Sequence, residues 1–230
     1  MTTYYKAIRL DGTSFHDPSF RWVPESGPVE GYVITHPTAN VVGTDASQHL
    51  SASVSPGDCT GMEWPCRLLE VEPVGSVIAP SPVILPSKRA ALEFRVVREL
   101  PATDVFGPQG AHVAAVIERT RQLTADDAQR LVAARGPEWR AAWSAARSAV
   151  RFAARFAASE AAWDAAWCSW YDAREDAGDA VGDAAWDVAW DAAGDVVLAL
   201  TVRDLVTREH YDTLTNSWRA TIGPIHPDDY

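Results

Sequence analysis

A chain of 230 residues, 47% of them hydrophobic, has room for one large core or two small ones and is too apolar to be a disordered tail. Its formal net charge of −11 weighs against direct binding to nucleic acid or to an anionic membrane. No apolar run is long enough to cross a bilayer.

Met1 leads straight into TTYYKAIRL, with no charged stretch ahead of an apolar run. The expected location is therefore the cytoplasm, that of a bacterial host. Five strands are expected, over residues 3–10, 31–35, 66–71, 76–79 and 92–97. Each mixes β-branched and aromatic residues, and Gly, Pro, Asp and Ser separate them. Asp11-Gly12 after the first run is a turn signal. A linker over 101–110 leads to a helix over 112–122. Thr124, followed by Asp126 and Asp127, reads as the N-cap and first turn of another helix. Arg135-Gly136-Pro137 ends that helix, and Pro137 suits the first turn of the next.

Residues 138–177 hold neither Pro nor Gly and are rich in Ala, the best helix former. A four-residue period runs through them: Trp139, Trp143, Arg147, Arg151 and Arg155 share one column. After a slip it resumes as Asp179, Asp183, Asp187, Asp191 and Asp195, with Trp186 and Trp190 in the same step. A step of four overshoots the helical turn by about 40°, so each column winds around the helix. Either the helices supercoil in the right-handed sense or short helices reset the phase. We expect two long helices with a break near 178–182. The Gly-Asp pairs at 178–179, 182–183 and 194–195 suit the short-helix alternative, each offering a helix end followed by an N-cap. A second Ala-rich segment reaches about residue 207, and a short helix is expected over 210–214.

The architecture these signals predict is α+β. A small, mostly antiparallel β-rich head (1–106) is followed by a linker and connecting helix (107–123), a long Ala/Trp/Asp-rich helical repeat (124–207) and a closing segment (208–230).

No phosphate-binding loop, dinucleotide fingerprint, metalloprotease, nucleophile-elbow or calcium-loop pattern occurs, so no cofactor is expected. The three cysteines, Cys59, Cys66 and Cys168, fit neither a zinc site nor a dithiol motif and are expected to be buried or idle. Helical carboxylates without Gly-shaped loops seldom hold Ca²⁺ or Mg²⁺, so no metal site is expected. Lysine occurs only at positions 6 and 88, while arginine supplies the other eighteen basic residues. Abundant Ala, Arg, Gly, Pro, Val and Trp point to a high-GC bacterial or phage gene.

Arg9, Ser51-Ala52-Ser53 and Glu70-Val71-Glu72 follow one another in the order of the Arg, Ser-x-Ser and Glu-x-Glu elements of ADP-ribosyltransferases. That resemblance implies that Arg9 and Ser53 help hold NAD and that Glu72 stabilises an oxocarbenium-like transition state. The Ser-to-Glu gap is shorter than in that family, and Ala52 stands where it has Thr. More widely, Tyr5-Lys6-Ala7 with Asp11-Gly12, the word RLLEVEP over 67–73, the repeat, and the stretch from Val202-Arg203-Asp204-Leu205 to Ile222-Gly223-Pro224 resemble uncharacterised proteins of actinobacteria and their phages. In those a β-rich N-terminal module precedes Ala-Trp-Asp-Ala-Ala repeats. The resemblance carries no site residue with it.

The leading expectation is a non-enzymatic protein–protein interaction or assembly module, phage- or prophage-encoded. Its partner is another protein or a second copy of the chain, with neither nucleic acid nor membrane bound directly. An acidic mimic of DNA is the sharper variant. The interaction residues are Asp183, Asp187, Asp191 and Asp195 with Trp186 and Trp190, although Trp at helical spacing also fits a helix–helix core. No catalytic residue is expected on this reading. The alternative is an ADP-ribosyltransferase-like enzyme using Arg9, Ser53 and Glu72.

Overall fold

The computed structural model describes residues 2–37, 49–59, 61–79, 86–152 and 183–226. The chain is α+β, with one antiparallel sheet of six strands and, among the described residues, five α-helices. It divides into two compact units, Met1–Val105 and Phe106–Tyr230. None of the described helices is long and apolar enough to cross a membrane.

The first unit holds β1 (Tyr4–Ile8), β2 (Val33–Thr35), β3 (Leu50–Ser53), β4 (Arg67–Val74), β5 (Lys88–Ala91) and β6 (Glu93–Leu100). Their order across the sheet is β2-β6-β4-β1-β3-β5. Alternation puts Tyr4 and Ile8, Leu69 and Val71, Phe94 and Val96, and Leu50 and Ala52 on one face. Trp22, Val23 and Val29, from the loop after β1, cover that face and complete the core. The expected strand at 76–79 is reduced to a single bridge, Ile78↔Ala90, beside β5.

Charges also pair across strands, at the rim of the core face for Arg67 and on the opposite face for Glu70 and Glu72. Arg67 grips Glu99 through two hydrogen bonds of 3.0 and 2.7 Å. Arg98 meets Glu70 at 2.6 Å, and Arg95 meets Glu72 at 2.8 Å. A bulge between Glu70 and Val71 keeps both glutamates in register with an arginine on β6.

The Asp11-Gly12 turn anchors the covering loop. Asp11 Oδ1 accepts from the Thr13 amide at 2.9 Å and from the Thr13 hydroxyl at 2.7 Å, which holds its carboxyl below the ordinary value. The Trp22 amide donates to the Gly12 carbonyl at 2.8 Å. Gly12 has φ +89°. A Cβ there would drive into the Val23 carbonyl oxygen.

The second unit contains α1 (Gly110–Thr120), α2 (Ala125–Ala134), α3 (Trp139–Phe152), α4 (Asp183–Thr201) and α5 (Arg208–Thr221). Thr124 and Asp127 form a reciprocal cap at the head of α2. The Asp127 amide donates to Thr124 Oγ1 at 3.2 Å, and the Thr124 amide donates to Asp127 Oδ2 at 3.0 Å. Thr207 caps α5 by accepting from the His210 amide at 3.3 Å. This last helix runs to Thr221, well past the short one expected over 210–214.

α4 packs against each of the other four helices. From Ala192 to Thr201 its residues are buried on every side, as a central helix requires. Gly194 does not end a helix, as the short-helix alternative would have it: α4 runs through it, and the buried Gly194 is part of the central helix. Continuing helix hydrogen bonds outweigh the roughly 1 kcal/mol that Gly costs relative to Ala. The expected break at 178–182 and the repeat over 153–182 lie outside the described residues.

Gly12→Ala is expected to destabilise the β-rich unit by about 2 kcal/mol or more, from positive φ plus the clash with Val23. Urea titration of the full chain, followed through the sheet signal in circular dichroism, reads the change. An unaltered midpoint would contradict the role given to this turn.

Candidate functional site

Sequence order suggested that Arg9, Ser53 and Glu72 converge, and the fold keeps them apart. Arg9 follows Ile8, which is paired with Arg67 at the start of β4. Glu72 lies farther along β4, on the order of 16 Å from that end. It is held by Arg95, whereas Arg9 pairs with Glu63 at 3.4 Å. Ser53 is buried at the end of β3, where its hydroxyl donates to the Asp58 carbonyl at 3.0 Å. No cleft among the described residues joins the three.

The aspartate column is only partly exposed. Asp183, Asp187 and Trp186 lie on α4 with side chains outside the described set. Trp190 is buried in the bundle. Asp191 is half-buried, and Asp195 retains only 2% of its side-chain surface. Arg135, at the end of α2, reaches both: its guanidinium meets Asp195 at 2.8 Å and Asp191 at 3.2 Å. The Trp139 indole N–H also donates to Asp195, and the Arg135 guanidinium stacks 4.2 Å from the Trp139 ring centre. Asp195 is thus a structural carboxyl rather than a solvent-facing contact, because the helix carrying it is central among the described helices. Burial pushes its carboxyl up to about 7, against the opposing pull of Arg135 and the Trp139 N–H. Beside this cluster an open groove of about 360 Å³ is lined by Arg135, Glu138, Trp139, Glu209 and Asp212, among others.

A different constellation appears in the β-rich unit. The two lysines of the chain line one cavity, together with His16, Ser51, Ser53 and Cys59. Lys6 stands opposite Leu69 on the core face, and Lys88 stands opposite Ser53 on the other. β1 and β3 share a single register pair, Tyr5↔Ser53, and both strands contribute to the cavity beside that short ladder. Its enclosed volume is about 20 Å³, enough for one water-sized group. Open space at its mouth brings the total to about 310 Å³.

The lysines are held differently. Lys88 Nζ donates to Ser53 Oγ and to the Asp58 carbonyl, each at 2.7 Å. Burial lowers its pKa, offset by the neighbouring Cys59 and Asp58 charges. Lys6 Nζ sits 4.9 Å from the centre of the Trp22 ring, a cation–π contact. Among the described residues it has neither a carboxylate partner nor a hydrogen-bond acceptor. Burial pulls its pKa down to about 8, and the charge of Lys88 adds to the effect. Cys59 and Cys66 are buried free thiols with raised pKa values, Cys66 reaching about 12. Neither is a ready nucleophile at neutral pH. Cys168 lies outside the described residues.

The sequence reading named none of Lys6, Lys88, Cys59 or Arg135 as a site residue. A signal was nevertheless present: two lysines against eighteen arginines is an unusual split, although it says nothing of where they meet. Protein-family models, curated proteins and solved structures offer no match to the chain.

Two predictions follow from these charges. Arg135→Ala leaves Asp195 buried and unpaired, so it should cost about 3–5 kcal/mol above pH 7 and less near pH 5, where the carboxyl takes a proton. Adding Asp195→Asn should recover much of the loss. Denaturant titration followed by helical ellipticity tests both, and a loss independent of pH would remove Asp195 from the explanation. Lys6 behaves in the opposite sense. Its folded pKa lies below the ordinary 10.5, so its stability contribution is present above 10.5 and is lost as pH falls through about 8. Lys6→Met should therefore stabilise the β-rich unit at pH 7 and flatten the rise of stability between pH 8 and 10.

Proposed function

We propose that the chain is a non-enzymatic binding module whose β-rich unit recognises a carboxylate at the Lys6–Lys88 cavity. One observation carries the reading. Both lysines line the same cavity and, among the described residues, neither forms an ion pair: Lys88 meets neutral oxygen acceptors, and Lys6 an aromatic face. An ammonium ion taken out of water without a counter-ion lowers stability. An entering carboxylate would relieve that cost and add charge-assisted hydrogen bonds. Ser51 and His16 supply further polar edges, and Phe15 adds an apolar wall.

The expectation of an interaction module is thereby kept but moved to another surface. Asp191 and Asp195 are engaged by Arg135, which leaves them little to offer a basic partner or a DNA-binding protein. The repeat over 153–182 remains an interaction surface by proposal only. The transferase alternative loses support because Arg9, Ser53 and Glu72 occupy separate surroundings.

A carboxylate reaches such a cavity either as a small free acid or as the C-terminus of a peptide. Thermal unfolding of the full chain should be followed with acetate, with a short peptide bearing a free C-terminus, and with the same peptide amidated. Binding raises the midpoint with ligand concentration. Acetate is expected to raise it, and a free-terminus peptide does so only if the natural ligand is a protein end. The amidated peptide should have no effect. Lys88→Gln and Lys6→Met, each tested separately, should abolish the shift. An equal shift with chloride at matched ionic strength would sink the proposal.

A further inference from the structure

We propose that the groove between the α2–α3 turn and α5 is a binding site for a guanidinium group carried on an alkyl stem. The site is independent of the lysine cavity, because every residue in it belongs to the helical unit. On α5, Glu209, Thr213, Asn216 and Ser217 recur at helical spacing and line the groove together. The α2–α3 turn brings Arg135, Glu138 and Trp139 to the same space. Its volume of about 360 Å³ falls within the roughly 300–1,000 Å³ of pockets that take small organic molecules.

Two carboxylates of the groove lack a counter-ion. Arg135 is engaged by Asp195 and Asp191, and Asp212 is held by Arg208 and Arg219 at 3.0 and 3.1 Å. Glu138 and Glu209 form no ion pair among the described residues. Each stands at the N-terminal end of a helix, where the dipole favours an acid, and that alone accounts for either charge. It does not account for Ser217. This residue is only 5% exposed, and the little surface it keeps opens on the groove. On the same helix, the hydroxyls of Thr213 and Thr215 donate to the carbonyls four residues back at 2.8 and 2.9 Å. The Ser217 hydroxyl makes no such bond, nor any other among the described residues. A buried polar group left in this way costs stability until a partner enters to meet it.

The partner these groups suit is a flat organic cation. Among the described residues no three His, Cys, Asp or Glu side chains come together to hold a metal ion. A guanidinium spreads its N–H donors in a plane, reaches separate acceptors and stacks on aromatic rings. Trp139 already accepts one such stack, with the Arg135 guanidinium 4.2 Å from its ring centre. An entering guanidinium would give N–H donors to Glu138, to Glu209 and to the Ser217 hydroxyl oxygen, with its stem along Trp139.

The test titrates the full chain with butylguanidinium, butylammonium and the uncharged butylurea, read by saturation-transfer NMR. Butylguanidinium should bind, butylammonium more weakly and butylurea not at all. Glu138→Gln and Glu209→Gln should each weaken binding roughly two- to fivefold, and added salt should weaken it further. Ser217→Ala should weaken it roughly two- to tenfold while the melting temperature holds or rises, since Ala favours the helix and no existing bond is lost. Equal binding of the urea, or affinity undisturbed in Ser217→Ala and in both glutamine variants, would overturn the site. Butylammonium bound as tightly as butylguanidinium would overturn the choice of a guanidinium. An acetylated, amidated Gly-Arg-Gly peptide separates the two sources of the group. Tighter binding of the peptide than of butylguanidinium supports the site and assigns it a protein arginine; the reverse supports it as a site for a small molecule.

Discussion

A charge moved out of water must meet an opposite charge or shift its proton equilibrium, and each unit answers this constraint in its own way. In the helical unit the answer is internal. Asp195 sits on the helix that every other described helix packs against, and its side chain is buried there. Arg135 comes to it from the turn between α2 and α3, and Trp139 adds an N–H from the first turn of α3. That polar junction fixes where α3 leaves α2. In the β-rich unit, Lys6 receives no such answer. Among the described residues its amine has no carboxylate or hydrogen-bond acceptor, and the face of Trp22 weakens the penalty of burial without cancelling it.

Local periodicity made much of the fold readable. Strands β1, β4 and β6 are rich in β-branched, aromatic and other apolar residues and are bounded by turn residues, and the Thr124 cap with acids in the first turn marked α2. β3 and β5 escaped because their words, LSAS and KRAA, carry few β-branched or aromatic residues. They are strands because partners hold them in register: Ser51 pairs with Ala90, and Ser53 with Lys88. Such tertiary dictation leaves no mark in a short window. Gly194 shows the converse. A Gly-Asp pair resembles a helix break, yet the central position of α4 overrides the local preference.

The site was less legible for the same reason. Positions 6, 53, 59 and 88 are brought together only by the order β4-β1-β3-β5, which chain order does not reveal. Sequence order in fact misled: Arg9, Ser53 and Glu72 follow the transferase sequence of elements, but Arg9 and Glu72 belong to opposite ends of the β1–β4 ladder. The aspartate period misled differently. A column that winds around a helix must pass every face, including the buried one, and Asp195 is where it does so.

The division of labour between the two kinds of basic residue fits this picture. The ion pairs that organise both units are made by arginine: Arg67, Arg95 and Arg98 across the sheet, and Arg135 in the bundle. Guanidinium suits that task because it is planar, weakly hydrated and always charged. It is ill suited to an exchangeable site, where the group must accept a different partner or give up its proton. Ammonium does both, since its donors rotate and its pKa yields to burial. In a chain that otherwise uses arginine for every basic position, the two lysines stand where a permanently charged fork would be the wrong tool. At Lys88 the rotating donors satisfy a hydroxyl and a carbonyl and leave a third direction open. At Lys6 burial pulls the pKa down to about 8, so its proton is given up more easily than that of an ordinary lysine. The two positions therefore differ in chemistry as well as place: Lys88 is fixed by oxygen acceptors, and Lys6 rests on an aromatic face.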